Sequence, residues 1–180
     1  MSGNLMDHSH SVSIPRLETE RLVLRAYRRA DFDAFVVHFA AHFADPPGAD
    51  DSSASTRGAA WRIFCSHAGL WTIDGAGWWA VEERQTGQLV GTVGAFFRED
   101  CMVMELGWNT YSAFGGRGYA CEAAAGALKY AFDIRQEAKV RALIAPGNAS
   151  SLRVASRLGF RYESEAALNG KAIGSYTLER

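Results

Sequence analysis

The first part of the chain changes from a strand-like to a helix-like spacing of apolar residues. Residues 21–27, "RLVLRAY", alternate as a half-buried strand does, with their leucines on one face. A helix capped by Asp31 is predicted next. Its apolar positions at helical spacing are Phe32, Phe35, Val36 and Phe39. A loop over 44–56, rich in proline and aspartate, precedes a second helix predicted at roughly 57–69.

Three further strands are predicted to form an antiparallel meander. They cover 78–84, 88–98 and 101–110. The connections at Thr86-Gly87 and Glu99-Asp100 are short and turn-like, as hairpins require.

The second half opens with a helix that carries small residues on one face. Its apolar positions at i, i+3, i+4, i+7, i+8 and i+11 are Ala120, Ala123, Ala124, Ala127, Leu128 and Ala131. Such a flat face suits a helix that lies close on a sheet. A strand at 139–145, a short helix at 148–158 and two closing strands near 160–166 and 172–179 complete the pattern.

This order of elements predicts one α/β (α+β) domain over 14–180, with helices on the faces of a mixed sheet. Residues 1–13 are polar and are predicted to form a disordered tail. They hold no apolar core of a signal peptide, and no segment reaches the ~18 apolar residues of a membrane span. We therefore expect a cytoplasmic protein without a membrane partner. The formal charge of −1 gives no electrostatic case for nucleic acid.

The cysteines and histidines do not predict a metal site. The three cysteines lack CxxC spacing and indicate free thiols: Cys65, Cys101 and Cys121. His38 and His42 stand four residues apart on a predicted helix, but the HExxH signature is absent. We interpret both as ordinary helix residues.

Three glycines surround Arg117 in the stretch "FGGRGYACEA", directly before the alanine-rich helix. Glycines before a helix allow an anion to approach the free amides of its first turn. A P-loop requires GxxxxGK[ST], which is absent here. A dinucleotide fingerprint would place Cys121 where its third glycine or alanine belongs, and the preceding strand comes from a meander. Neither phosphate-binding motif fits.

The element order and four motifs resemble the GNAT superfamily of acetyl-CoA-dependent N-acetyltransferases, over roughly residues 16–178. The closest likeness is to its ribosomal-protein N-terminal acetyltransferase (RimJ/RimL-like) branch. The motifs are "LETERLVLRAYRRADFDAF", "MELGWNT", "GRGYACEA" and "NASSLRVASRLGF". The resemblance implies a mostly antiparallel central sheet of about seven strands flanked by about four helices. It also implies that the fourth and fifth strands of the family fold splay apart around the acetyl-pantetheine arm.

By this resemblance acetyl-CoA is the co-substrate, and its pyrophosphate sits on the glycine turn. The implied coenzyme-binding residues are Leu106, Trp108, Thr110, Gly115, Gly116, Arg117, Gly118, Tyr119, Ala120, Asn148, Ser151 and Arg153. Gly115 stands where many members carry arginine or glutamine, so weaker contact with one phosphate is expected. Arg117 supplies charge instead, or is a solvated loop residue.

The acetyl transfer needs a neutral amine, a polarised thioester carbonyl and a stabilised thiolate. Glu105 is the candidate base, and its alternative roles are a solvated strand carboxylate or one that only orients substrate. Many GNAT enzymes place a tyrosine acid where this chain has Ala155. The resemblance instead assigns the thiolate to Ser151 and a pantetheine contact to Asn148, which also fits simple helix capping. A cysteine nucleophile at Cys121 is not favoured, so we expect direct attack in a ternary complex.

The acceptor is an amine of unspecified kind, either a protein N-terminus or a small molecule. Its site is expected near the first two helices, the 44–56 loop and Trp71 or Trp78. A non-catalytic acyl-CoA-binding or sensing module on the same fold is the alternative, and a nucleotide-binding regulator is a third. The chain is expected to be a monomer or a homodimer.

Overall fold

A computed structural model describes residues 12–43, 53–168 and 170–180, which form eight strands and four α-helices. The strands are β1 (Leu17–Glu18), β2 (Leu22–Arg25), β3 (Gly77–Glu83), β4 (Leu89–Arg98), β5 (Cys101–Thr110), β6 (Lys139–Ile144), β7 (Arg161–Leu168) and β8 (Lys171–Glu179). The helices are α1 (Phe32–Phe43), α2 (Ser53–Asp74), α3 (Tyr119–Lys129) and α4 (Ala149–Leu158). A π-helical turn over Tyr130–Ile134 continues α3. The predicted mixed fold is confirmed.

Two parts of the sequence prediction differ from the structure. The sheet has eight strands because β1 pairs with β2, and two residues are too few to show alternation in the sequence. Helix α2 begins at Ser53 and ends at Asp74, so the end of the predicted 44–56 loop is helical. Its serines look like loop residues in composition, but serine is also common at helix starts. Residues 1–11 of the predicted tail and 44–52 of the predicted loop lie outside the described residues.

The sheet order is β1-β2-β3-β4-β5-β6-β8-β7, and its pairs are antiparallel except β5 with β6. The parallel pair is short: its register joins Met104 to Val140 and Glu105 to Arg141, and ends there. Beyond it, β5 continues to Thr110 on β4, and β6 continues to Ile144 on β8. The two strands therefore separate, as the family resemblance implied.

Helix α3 packs its small residues on one face of the sheet. Ala124, Ala127 and Ala131 are fully buried there against Met104 and the other core residues. This confirms the predicted alanine face. The start of α3 lies beside the end of β5, where Tyr119 and Thr110 line the same cavity.

The opposite face of the sheet is covered by α1 and α2, and Trp78 of β3 lies flat on it. A Cβ atom at Gly94 of β4 would stand 2.5 Å from the Trp78 ring, and one at Gly107 of β5 would stand 2.6 Å from it. Any larger residue at either position would displace the indole. The two glycines therefore fix where the Trp78 ring lies.

We expect Gly94→Ala to lower the free energy of unfolding by about 1–3 kcal/mol, since the new methyl group overlaps the Trp78 ring. Chemical denaturation measures this change. Gly58→Ala is the matched control, because Gly58 lies in α2 with nothing within 4 Å of an added Cβ. It should leave stability unchanged or raise it by up to ~1 kcal/mol. Equal effects of the two variants would contradict the packing described for Trp78.

Candidate functional site

A cleft of about 470 Å³ opens where β5 and β6 separate, and we call it the splay cleft. Ten of the twelve residues predicted to bind coenzyme line it: Trp108, Thr110, Gly115, Gly116, Gly118, Tyr119, Ala120, Asn148, Ser151 and Arg153. They come from β5, the glycine turn with the start of α3, and the start of α4. The fold thus gathers three separate sequence motifs around one cavity. That each residue contacts coenzyme stays a prediction.

Two predicted coenzyme residues lie outside the walls of the splay cleft. Leu106 is 2% exposed and belongs to the core, and it borders a neighbouring cavity. The backbone carbonyl of Arg117 accepts a hydrogen bond of 3.0 Å from Arg21. The guanidinium of Arg117 lies over the Phe114 ring, 5.5 Å from its centroid. The structure therefore gives Arg117 partners within the protein.

The glycine turn exposes the first amides of α3. Gly116 and Gly118 have φ of 78° and 81°, a left-handed conformation that glycine adopts without strain. Gly118 caps the helix and no side chain caps the first amides, which lie at Tyr119, Ala120 and Cys121. These amides and the positive end of the helix dipole suit a bound diphosphate.

Gly115 differs from the other two glycines. Its φ of −61° and ψ of 153° are open to any residue, and an added Cβ would meet only the Ser112 carbonyl, at 3.4 Å. The turn therefore does not need glycine at this position. The departure from the family pattern removes a side chain without altering the backbone.

A polar network ties the glycine turn to the start of the chain. Glu122 in the first turn of α3 accepts hydrogen bonds from the Arg21 Nε at 2.7 Å, the Arg21 amide at 2.7 Å and the Thr19 hydroxyl at 2.6 Å. Burial alone would raise the pKa of Glu122, but these hydrogen bonds lower it. Arg21 also lies over the Tyr119 ring at 4.8 Å. Arg21 therefore balances the negative charge of Glu122 beside the glycine turn.

Asn148 organises the start of α4. Its Oδ1 accepts hydrogen bonds from the Ser151 amide at 3.0 Å and from the Ser150 hydroxyl at 2.8 Å. Asn148 is thus a helix cap, as one of its predicted roles required. The Ser151 hydroxyl has no protein partner among the residues that the structure describes, and it faces the cleft. It is available to a ligand.

A second cavity of about 380 Å³ lies on the α1–α2 side of the sheet, and we call it the side cavity. It shares five lining residues with the splay cleft: His38, Trp108, Asn109, Asn148 and Ser151. Aromatic side chains supply much of the remaining wall: Phe35, His67, Trp78 and Phe96. The two cavities therefore meet around Ser151.

Glu105 lies in the wall of the side cavity and is paired with arginines. It is 5% exposed, and Arg98 donates to both of its oxygens, at 2.6 Å and 2.8 Å. The Arg141 guanidinium lies 3.5 Å away. The hydrogen bond to Glu105 raises the pKa of Arg98, so the guanidinium stays charged. Its role as general base stays a prediction.

Sequence reasoning missed several residues of this region. His38 was interpreted as an ordinary helix residue, yet it is 6% exposed, stacks on Tyr111 at 4.6 Å and lines both cavities. No motif marks His38, because helical spacing predicts which face a residue is on but not what it contacts. Of the two tryptophans expected near the acceptor, Trp78 lines the side cavity, whereas Trp71 is 2% exposed and packs on Trp79 in the core.

Residues 21–161 match the family model described as an acetyltransferase (GNAT) domain. The chain therefore belongs to the GNAT acetyltransferase family, whose members transfer acetyl groups from acetyl-CoA. No helix in the described part is long and apolar enough to cross a membrane, and no cluster of three or more metal-ligating side chains occurs there.

The chain is also similar to several known proteins and structures. The chain is 38% identical to the uncharacterized protein YkkB of Bacillus subtilis over 104 residues, or 57% of this chain and 60% of YkkB. The structure of an acetyltransferase from Agrobacterium tumefaciens strain C58 is 30% identical, covers all of both chains and has a TM-score of 0.78. RimL, a ribosomal L7/L12 α-N-protein acetyltransferase solved with coenzyme A, shares the fold at 17% identity, with a TM-score of 0.70 over 92% of this chain and 98% of RimL.

We expect Gly118→Ala to weaken acetyl-CoA binding about tenfold, because a left-handed conformation costs an L-residue about 1–2 kcal/mol and the turn must shift. Gly115→Ala is the matched control within the same turn and should bind with unchanged affinity, since its backbone conformation is ordinary. Isothermal titration calorimetry measures both. Equal losses of acetyl-CoA affinity in the Gly118 and Gly115 variants would show that the left-handed backbone of the turn is not what binds the coenzyme.

Proposed function

We propose that the protein is an acetyl-CoA-dependent N-acetyltransferase that moves the acetyl group to a primary amine by direct attack in a ternary complex. One observation carries this proposal: the splay cleft and the side cavity meet around Ser151. A coenzyme in one cavity and an amine in the other would bring their reacting ends together. The acceptor is a protein N-terminus or a small amine, and the expected setting is the cytoplasm.

The coenzyme would extend along the splay cleft. Its pyrophosphate would bind the amides at the start of α3, and its pantetheine arm would run beside Leu106–Thr110 of β5, with backbone groups near Trp108 and Thr110 as partners. Arg153 on α4 lies in the same wall and suits a phosphate. A backbone amide of β5 would stabilise the oxyanion that forms when the amine nitrogen attacks the thioester carbon.

Ser151 is the proposed donor to the leaving thiolate. As the carbon–sulfur bond breaks, the sulfur gains negative charge, and a nearby hydroxyl stabilises it. Ala155 is 1% exposed in the core, so position 155 offers no acid to the sulfur in this chain. Ser151 lies one turn earlier on α4, and its hydroxyl is free for this contact.

Ser151→Ala should lower kcat about 10- to 100-fold with acetyl-CoA affinity nearly unchanged, because one hydrogen bond to a charged group is lost. Steady-state kinetics with acetyl-CoA and a panel of amines measures this effect. Ser150→Ala is the matched control, because the Ser150 hydroxyl donates to Asn148 and is not the proposed donor to the sulfur. This variant should change kcat much less than Ser151→Ala does. If no amine is acetylated but acetyl-CoA still binds, the protein is an acyl-CoA-binding module instead.

Two roles are proposed for Glu105. As the base, it would take the ammonium proton directly or through water. The two hydrogen bonds from Arg98 favour the other role, in which Glu105 fixes Arg98 in the wall of the side cavity and orients the acceptor. An N-terminal amine has a pKa of about 8, so a sizeable neutral fraction exists without a strong base.

We therefore expect Glu105→Gln to raise KM for the amine about tenfold and to change kcat less than threefold, because a glutamine cannot hold Arg98 with two charge-assisted hydrogen bonds. The pH profile of kcat should keep its shape. A fall of kcat by two orders of magnitude, with loss of the acidic limb of that profile, would instead identify Glu105 as the base.

A further inference from the structure

The position of His67 in the wall of the side cavity is tightly fixed. Its ring stacks on the Trp78 indole, with centroids 4.6 Å apart and planes at 11°. Trp78 is itself held flat on the sheet by the absence of side chains at Gly94 and Gly107. Phe35 contacts the same imidazole edge-on at 5.7 Å. His67 therefore presents a fixed ring to the cavity.

One nitrogen of His67 is already used. Nδ1 lies 3.2 Å from the Tyr27 hydroxyl. Burial raises the pKa of Tyr27 well above its ordinary value, so the phenol keeps its proton. Burial also lowers the pKa of His67 to about 4, so its imidazole is neutral near pH 7.

These contacts select one tautomer. A phenol is a stronger hydrogen-bond donor than acceptor, whereas a neutral imidazole nitrogen is a strong acceptor, so the Tyr27 proton is directed to Nδ1 of His67. A neutral imidazole that accepts at Nδ1 carries its proton at Nε2. No protein partner for Nε2 occurs among the described residues. The available group is an uncharged N–H donor.

The charged groups of the side cavity also favour an oxygen ligand. Glu105 is the carboxylate in the described part of its wall, and Arg98 already occupies both of its oxygens. Asn109 and Asn148 add side-chain amides to the same wall. A carbonyl or carboxylate oxygen would find donors here, whereas a second ammonium group would find no unpaired carboxylate among these residues.

We propose that His67 is a specificity-determining residue whose Nε2–H donates to an oxygen of the acceptor. The acceptor is then an amine with a carbonyl or carboxylate oxygen close to its nitrogen, and not a polyamine or aminoglycoside. The stack on Trp78 and the Tyr27 contact place the donor, and the pairing of Glu105 removes the competing site for a cation. This inference rests on the proposed function.

Three amines that share one aromatic body test it: L-phenylalaninamide, L-phenylalanine and 2-phenylethylamine, with spermidine as a polycation. The first two carry a carbonyl and a carboxylate oxygen, and the third carries neither. We expect kcat/KM to be at least about tenfold higher for an oxygen-bearing amine than for 2-phenylethylamine. The better of the two oxygen-bearing amines identifies the source of the oxygen.

His67→Phe keeps a ring on Trp78 and removes the N–H. It should lower kcat/KM for the preferred amine about tenfold, to the level of 2-phenylethylamine, whose own value stays within twofold. His67→Gln, which keeps an N–H donor, should restore part of the preference. Thermal unfolding and acetyl-CoA affinity confirm that each variant is folded.

The proposal is overturned if His67→Phe lowers kcat/KM equally for all of the amines, or if 2-phenylethylamine or spermidine is the preferred acceptor. It is also overturned if none of the amines reacts while acetyl-CoA binds. The first two outcomes leave the proposed transferase function standing, whereas acetyl-CoA binding without transfer to any amine indicates an acyl-CoA-binding module. Absence of both acetyl-CoA binding and transfer to any amine would overturn the proposed function itself.

Discussion

The short pairing between β5 and β6 is the constraint on which the rest of the site depends. Two residue pairs join these strands, after which each strand follows its other neighbour: β5 stays on β4 and β6 stays on β8. The segments beyond the pairing keep hydrogen-bond partners on their outer sides. The end of β5 lines both cavities and the end of β6 lines the side cavity, so backbone groups there are available to a bound ligand without breaking the sheet. Both cavities open at this separation.

Glycines shape the two cavities by different physical means. At Gly116 and Gly118 the backbone has a positive φ, which turns the chain so that the first amides of α3 face the splay cleft. At Gly94 and Gly107 the φ angles are not left-handed, and the missing side chain makes room for the Trp78 ring. The first pair suits an anion site in the splay cleft, the proposed coenzyme side. The second pair sets the aromatic wall of the side cavity, the proposed acceptor side.

The coenzyme side could be predicted from sequence because its residues lie in contiguous motifs. The glycine turn, the alanine face of α3 and the Asn148–Ser151 cap each follow local rules that hold wherever the segment folds. The acceptor side could not be predicted in this way. His67, Trp78 and Arg98 come from three elements, and only tertiary packing brings them together. Glu105 could be named as a candidate from its motif, but its pairing with Arg98 depends on the β4–β5 hairpin.

Acetyl-CoA binding tests the central claim most directly. Thermal unfolding should be followed with and without acetyl-CoA, with NAD and ATP as controls. A ligand that binds only the folded state at 100 times its Kd adds about 2.7 kcal/mol of stability. The account predicts a clear rise in Tm with acetyl-CoA and none with NAD or ATP. No shift at millimolar acetyl-CoA, or an equal shift with all three ligands, would contradict the assignment of the splay cleft as the coenzyme site.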